Sequence, residues 1–321
     1  MNFIFVPACL GHQTGAHPEC PQRLQKFEHL PPSDTAFGLD YVPLVHTAAH
    51  IEQVRSACNH ERPLDNDTLT SVGSYAAALA GVGASITAAD QGDFALIRPP
   101  GHHAYPHKST GFCLFNNIAI AVKHLQRQGK RVMILDFDGH LGDGTSHIFY
   151  EDPNVLFCSI HQFPAFPGHG WIDEIGSGPG KGFTVNIPLP PGAGDDLFWQ
   201  GMELIGHIGH QFQPDVVAVS AGFDGYREDP LLQLQYSLQA FYRCGQWLRE
   251  NFDRVFAVLE GGYNLSMLPL AIHNFVNGFN SKPPEQSEEP TTTSPLLVQK
   301  TLKDLASLKK CLIPYWSLDT A

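Results

Sequence analysis

Residues 134–145 read ILDFDGHLGDGT, placing Asp136, Asp138, His140 and Asp143 within eight positions directly after an apolar run. Like charges at this density repel one another, and folding alone gives no reason to collect them. Either the stretch is a solvated turn, or a cation sits among its acids. The apolar run that precedes it, RVMILDFD (131–138), is one of a series with NFIFVP (2–7), FALIRPP (94–100), VLFCSIHQ (155–162), FTVNIPLP (183–190), VVAVSAGFD (216–224) and RVFAVLEGGY (254–263). Each is nearly continuous in hydrophobicity rather than alternating, the signature of strands covered on both faces. Helical patterns lie between several of them, most clearly over 71–90, 116–129, 195–213 and 236–252. This alternation predicts right-handed crossovers and a single α/β domain with a mostly parallel central sheet flanked by helices.

The chain has 321 residues, 43% hydrophobic and 16% charged, enough to bury a large core. No apolar stretch reaches the roughly 18–20 residues that span a bilayer, so no membrane association is expected. The N-terminus, MNFIFVPACLGHQ, has no basic region and turns polar too early for a signal peptide. The seven cysteines include no CxxC pair. They read as reduced thiols of a cytoplasmic protein, not as a disulfide framework. A net charge of −12 argues against nucleic acid as a partner, because phosphate contacts need a basic face. The tract SKPPEQSEEPTTTSP (281–295) reads as a surface linker between a domain at 1–280 and a C-terminal helical extension at 296–321 packed back on it.

The unusual residues gather where strands end: RPPGHHA, DFDGHLGDG, SIHQF, SAGFDGYREDP and EGGY. In open parallel sheets, ligands bind beyond the carboxyl ends of the strands. Asp138 and His140, two residues apart, point the same way if the strand continues, so a carboxylate and an imidazole converge on one cation. A polar strand end with a helix cap reads the same two residues equally well. Asp224, ending another strand, supplies a third ligand, and two carboxylates with one histidine leave zinc an open position, as in catalytic sites. His102 and His103 offer a proton acceptor for an activated water and a donor for a departing amine. Asp136 and Asp143 then serve as partners that orient imidazoles. Tyr263 can donate its phenol hydrogen to a developing oxyanion, with glycines beside it that let the backbone approach.

The segments HPECPQRL (17–24), RPPGHHA, STGFCLFNN, DFDGHLGDGT, SIHQFPAFPG, SAGFDGYREDP and EGGY, in this order over about the first 280 residues, resemble the zinc-dependent histone deacetylase and acetylpolyamine amidohydrolase superfamily, on the arginase–deacetylase fold. RPPGHHA and GFCLFNN give the resemblance a class II-like character. It implies Asp138, His140 and Asp224 as zinc ligands, and His102 and His103 as the general base and acid, backed by Asp136 and Asp143 respectively. Tyr263 is implied as the residue that polarises the acyl carbonyl. Phe112 and Phe166 become walls of the acyl-lysine channel, and Gly111 offers a carbonyl to the substrate amide. A potassium site is implied at Asp136, Asp138, His140, Ser159 and Ile160.

Two departures from the family pattern stand in the central motif. Many relatives carry a second histidine after the zinc-ligand histidine, where this chain has Leu141. Class II relatives often have Asn where this chain has Asp143, and a carboxylate favours the imidazolium form of His103 more than an amide would. The implied activity is metal-assisted hydrolysis of an N-acyl amide: acetyl-lysine in a protein or peptide, or an acetylated polyamine. Polyamine deacetylases of the superfamily carry a glutamate after the Asp-Pro that follows the third zinc ligand, and here that position is Leu231, which favours acetyl-lysine. An arginase-like binuclear manganese hydrolase is the second enzyme reading, but SAGFDGYRED lacks the DxD that a bridged metal pair needs. A non-catalytic acyl-lysine binding module is the third, and none of the expected functional residues is substituted in that sense.

Overall fold

In the computed structural model, which describes residues 1–319, the seven apolar runs form one seven-stranded sheet: β1 (Phe3–Phe5), β2 (Phe94–Leu96), β3 (Val132–Asp136), β4 (Val155–Gln162), β5 (Thr184–Leu189), β6 (Val216–Ala221) and β7 (Val255–Leu259). All pairings are parallel, in the order β1-β2-β7-β6-β3-β4-β5. The helices are α1 (Gln22–Gln25), α2 (Ala48–Asn59), α3 (Ser74–Gln91), α4 (Asn117–Arg127), α5 (Asp143–Phe149), α6 (Asp195–Phe212), α7 (Leu238–Asn251), α8 (Leu268–Phe279) and α9 (Pro295–Leu312). β2 to β7 are buried at every position, which is why their sequences read as unbroken apolar runs. Among the described residues, no helix is long and apolar enough to cross a membrane.

The chain moves outward from β3 to β4 and β5, then returns to lay β6 on the other side of β3. The strand order therefore reverses between β3 and β6, the place where open parallel sheets bind their ligands. Asp136, the last residue of β3, is in register with Ser159 of β4 and Ser220 of β6. One expectation needs correction here. β3 stops at Asp136, so Asp138 and His140 lie in the turn beyond it and not on a continuing strand. Side-chain capping holds that turn: Asp138 accepts from the backbone N–H of His140 at 2.9 Å, and Asp136 from that of Asp138 at 3.2 Å.

Residues 281–294 cross the surface but are tied down. Asn274 accepts from the amide of Glu285, Glu288 accepts from the Tyr226 hydroxyl, and Thr293 donates to Asp196 at 2.6 Å. α9 follows and buries Leu305, Leu308 and Leu312, with contact to α6. The last two residues of the 296–321 extension lie outside the described residues.

A buried ion cluster fastens the N-terminal segment to the strand-end loops. Arg98 makes a two-pronged contact with Glu19 at 2.6 and 2.7 Å and donates to the carbonyls of Cys9 and His12. Arg23 reaches Glu19 at 3.3 Å and donates to the carbonyls of Gly262, at 2.7 Å, and Glu260, at 2.5 Å. All three side chains are fully buried. Burial pushes the Glu19 carboxyl up, but Arg98, His12 and Arg23 outweigh it and hold Glu19 well below the usual carboxylate range. Removing one partner of such a set strands the others in a dry interior. Glu19→Ala is expected to cost about 3–5 kcal/mol of stability in denaturant unfolding. A loss below about 1 kcal/mol would mean that the two arginines find other partners.

Candidate active site

Asp138, His140 and Asp224 converge from the β3 and β6 ends, with one ligand atom from each lying within 4.8 Å of the others. His140 Nδ1 is 2.8 Å from Asp224 Oδ2 and 3.3 Å from Asp138 Oδ1. Both carboxylates are fully buried, and backbone amides take up the oxygens that face inward: Gly139 N–H donates to Asp224 at 2.6 Å and Gly261 N–H to Asp138 at 2.7 Å. Only glycine fits this cradle. A Cβ on Gly261 would stand 2.5 Å from an oxygen of each carboxylate, and one on Gly222 would collide with Asp138. Burial alone would depress the His140 pKa, yet Asp224 and Asp138 raise it to about 10. Two buried anions beside one nitrogen donor call for a cation, and the donor set suits a divalent metal with a position left open.

His102 and His103 stand beside this triad, their ring centroids 4.0 Å apart. His102 Nδ1 is 3.1 Å from Asp136 Oδ2, and His103 Nδ1 is 2.6 Å from Asp143 Oδ1. The two rings differ in proton affinity. Burial lowers both, but Asp138, Asp136 and Glu260 reverse the effect on His102 and raise it well above the ordinary histidine value. His103, beside His102, drops to about 4 despite Asp143. The acids around His102 thus favour its protonated form, whereas burial beside His102 disfavours that of His103. Glu260 shapes the loop itself, its Oε2 accepting from the amides of Gly101 at 2.7 Å and His102 at 3.1 Å.

Tyr263 is buried, with the Arg23 guanidinium 5.0 Å over its ring and its own amide donating to Asp229 at 2.7 Å. Burial keeps its phenol protonated, well above the usual tyrosine range despite Arg23, so it is available as a donor. The Phe112 ring meets that of Tyr263 edge-on at 5.8 Å, and the half-exposed Phe166 ring lies 4.9 Å from His103 and 6.5 Å from His140. Phe112 has a φ of 69°, an uncommon conformation for a bulky residue. Gly111 precedes it at φ 56°, where a side chain would run into the His103 ring. Leu231 is partly buried and one hydrogen bond removed from Tyr263, since Asp229 accepts from the amides of both. Ser159 and Ile160 are buried on β4 next to Asp136, with the Ser159 hydroxyl 2.9 Å from His161 Nδ1.

A model of the histone deacetylase domain matches residues 17–279. The chain belongs to the histone deacetylase family. It is 42% identical over 242 residues to a protein of Archaeoglobus fulgidus named a probable deacetylase, across 71% of this chain and 67% of that one. It is 36% identical over 318 residues to rice histone deacetylase 10, chloroplastic, across 85% and 72% of the two chains. A histone deacetylase-like amidohydrolase of Pseudomonas aeruginosa is 32% identical over 308 residues, across 87% and 80%. The crystal structure of the HDA15 HD domain superposes with a TM-score of 0.87 at 29% identity, covering 98% of this chain and 94% of that one. This family member is accordingly a hydrolase acting on amides. The family is typically metal-dependent, and Asp138, His140 and Asp224 form a group able to hold the ion.

Several residues that shape the site carry no signal that marks them in the sequence. Glu260 and Asp229 are visible only as neighbours of Tyr263 and Leu231 in EGGY and REDP, and Tyr105 follows the paired histidines in an ordinary loop. Asp224→Asn or His140→Ala is expected to lose most of the bound metal counted by mass spectrometry, since each removes one of three donors. Full metal content in both variants would place the ion elsewhere.

Proposed function

We propose that this family member is a zinc-dependent deacetylase that removes acetyl groups from lysine side chains of proteins or peptides. The reading rests above all on two carboxylate-backed histidines of opposite proton affinity standing beside a buried two-aspartate, one-histidine group. Zinc held by Asp138, His140 and Asp224 would supply Lewis acidity to the acyl oxygen and to water. His103, neutral and fixed by Asp143, accepts the proton as water attacks. Asp136 keeps the charged His102 in place beside it. The Tyr263 phenol donates a hydrogen bond to the oxyanion as it forms. The proton then passes from the histidine pair to the leaving amine, and acetate departs. Phe112 and Phe166 flank the lysine stem, and the Gly111 carbonyl accepts from the substrate amide. Potassium is assigned to Asp136, Asp138, His140, Ser159 and Ile160, where it would offset the charge of buried acids. We read residues 1–280 as the catalytic domain and 281–295 as a linker to the 296–321 extension, whose described part, 296–319, packs on the domain. The free thiols of all seven cysteines suit the cytoplasm.

Tyr263→Phe keeps the ring against Phe112 and removes one hydroxyl. Turnover is expected to fall on the order of 10²–10³-fold, with zinc content and folding unchanged. Normal turnover in this variant would mean that the carbonyl is activated without Tyr263.

Acetylpolyamine is the competing substrate, and Leu231 separates the two. An apolar side chain there suits a lysine stem and offers nothing to a distal ammonium. Leu231→Glu is expected to shift the kcat/KM ratio toward acetylpolyamines by about fivefold to tenfold, the effect of a partly exposed charge pair of about 1 kcal/mol. A wild-type preference for acetylspermidine, or no shift in the variant, would overturn the choice of substrate and leave the metal chemistry standing.

A further inference from the structure

Asp143 has two carboxylate oxygens, and His103 occupies only one of them. The other, Oδ2, accepts a hydrogen bond of 2.9 Å from the Tyr105 hydroxyl. It also lies 3.9 Å from Nε2 of the half-exposed His169. Nδ1 of His169 is in turn 3.4 Å from Glu174 Oε2. Glu174 uses its remaining oxygen to accept from the amides of Gly170 at 2.7 Å and Trp171 at 2.9 Å, which fixes the loop that carries His169. Glycines flank His169, and the second of them, Gly170, has a φ of 96° and leaves no room for a side chain against His161. Tyr105 is held from two sides, its backbone paired with Lys108 across a turn and its ring 5.0 Å from that of His147. Tyr105, His169 and Glu174 take no part in the chemistry proposed above.

We infer that Tyr105 is a positioning residue for His103, acting through Asp143, with His169 and Glu174 completing the clamp on the solvent side. The inference rests on the reading of His103 as the proton acceptor. A carboxylate with one free oxygen near a site mouth can rotate about its Cβ–Cγ bond or turn toward water. A donor on the outer oxygen holds the carboxylate plane, so that Oδ1 stays on His103 Nδ1 and the ring keeps one tautomer and one direction. Hydrogen bonds to an ionised group are the strong kind. Burial raises the Asp143 pKa, but His103 and Tyr105 outweigh it and keep the group ionised. Burial and the neighbouring Asp143 both raise the Tyr105 phenol, so it remains a donor throughout the neutral range. The hydrogen bonds and ion pairs of Tyr105, His169 and Glu174 run to Asp143, to one another and to the loop backbone and, among the described residues, none runs to Asp138, His140 or Asp224, so removal of the Tyr105 hydroxyl is expected to affect turnover and not binding.

Tyr105→Phe removes the hydroxyl and keeps the ring on His147. With an acetyl-lysine peptide, kcat is expected to fall about tenfold while KM stays within about twofold and zinc content is unchanged. The short His103–Asp143 hydrogen bond should give a strongly deshielded proton resonance, identified by its loss in His103→Gln. That resonance is expected to move in Tyr105→Phe, and to move less in His169→Asn. An unchanged kcat with an unmoved resonance would overturn the inference. So would a rise in KM at constant kcat, which marks a substrate contact, or joint loss of zinc and folding, which marks a structural role alone. If the wild-type protein deacetylates no peptide, the proposed function fails, and the resonance still decides whether Tyr105 acts on the Asp143–His103 pair.

Discussion

Asp136, Asp138, Asp224 and Glu260 are buried together at the carboxyl edge of one parallel sheet, and the cost of that burial governs what surrounds them. An ionised carboxylate without a partner in a dry interior costs several kcal/mol, so each must be neutralised, hydrogen-bonded or both. The backbone provides much of the remedy. Amides of Gly101, His102, Asp138, Gly139, His140 and Gly261 all point at these oxygens. Such close approach excludes a Cβ at Gly222 and Gly261, which explains glycines in SAGFD and EGGY that turn formation alone would not require. The histidines provide part of the remaining compensation, and a divalent cation suits what is left over.

The second constraint lies one layer outward. Glu19 and Arg23 lie in one segment and Arg98 in another 79 positions from Glu19, and Arg23 donates onward to the carbonyls of Glu260 and Gly262. The loop that carries Tyr263 is thus pinned from behind by Arg23, and its amide from the other side by Asp229. The HPECPQRL segment therefore supplies the carboxylate that keeps both guanidiniums in place, and it also meets the site directly, with His17 edge-on to the Phe112 ring at 4.5 Å and Arg23 over Tyr263.

These two layers differ in how far the sequence reveals them. The strands are legible because burial on both faces removes polar positions, and α4, α6 and α7 because their apolar faces recur with a helical period, while α3 is buried nearly all round and reads as a helix from its length and its many alanines. Asp138 and His140 alone read equally well as a capped strand end, and they become legible as a group only when Asp224 ends another strand. The geometry that brings them together is not: β3 ends two residues before Asp138, and a side-chain-capped turn does the work that an extended strand seemed to do. α8 (LPLAIHNFVNGF) is apolar for most of its length, carries Gly278 where it crosses α7, and begins without a side-chain cap to announce it. The Glu19 cluster is hidden for another reason. Its members lie as far as 79 positions apart, and an arginine in RPPGHHA looks like a surface charge until the fold closes around it.

The paired histidines show how the fold differentiates neighbours of identical chemistry. His102 and His103 are adjacent, both buried, and each is hydrogen-bonded through Nδ1 to one aspartate. Local sequence predicts that they behave alike. What separates them is the number of acids each ring faces. His102 looks inward, toward Asp138, Asp136 and Glu260, and these outweigh the penalty of burial. His103 looks outward with Asp143 alone, and the charge on His102 adds to the penalty. The surroundings thus favour a proton on His102 and disfavour one on His103. A single aspartate behind each histidine fixes their orientation, but the asymmetry between them comes from β3, the turn after it and the residue after β7, elements that meet only in the folded sheet.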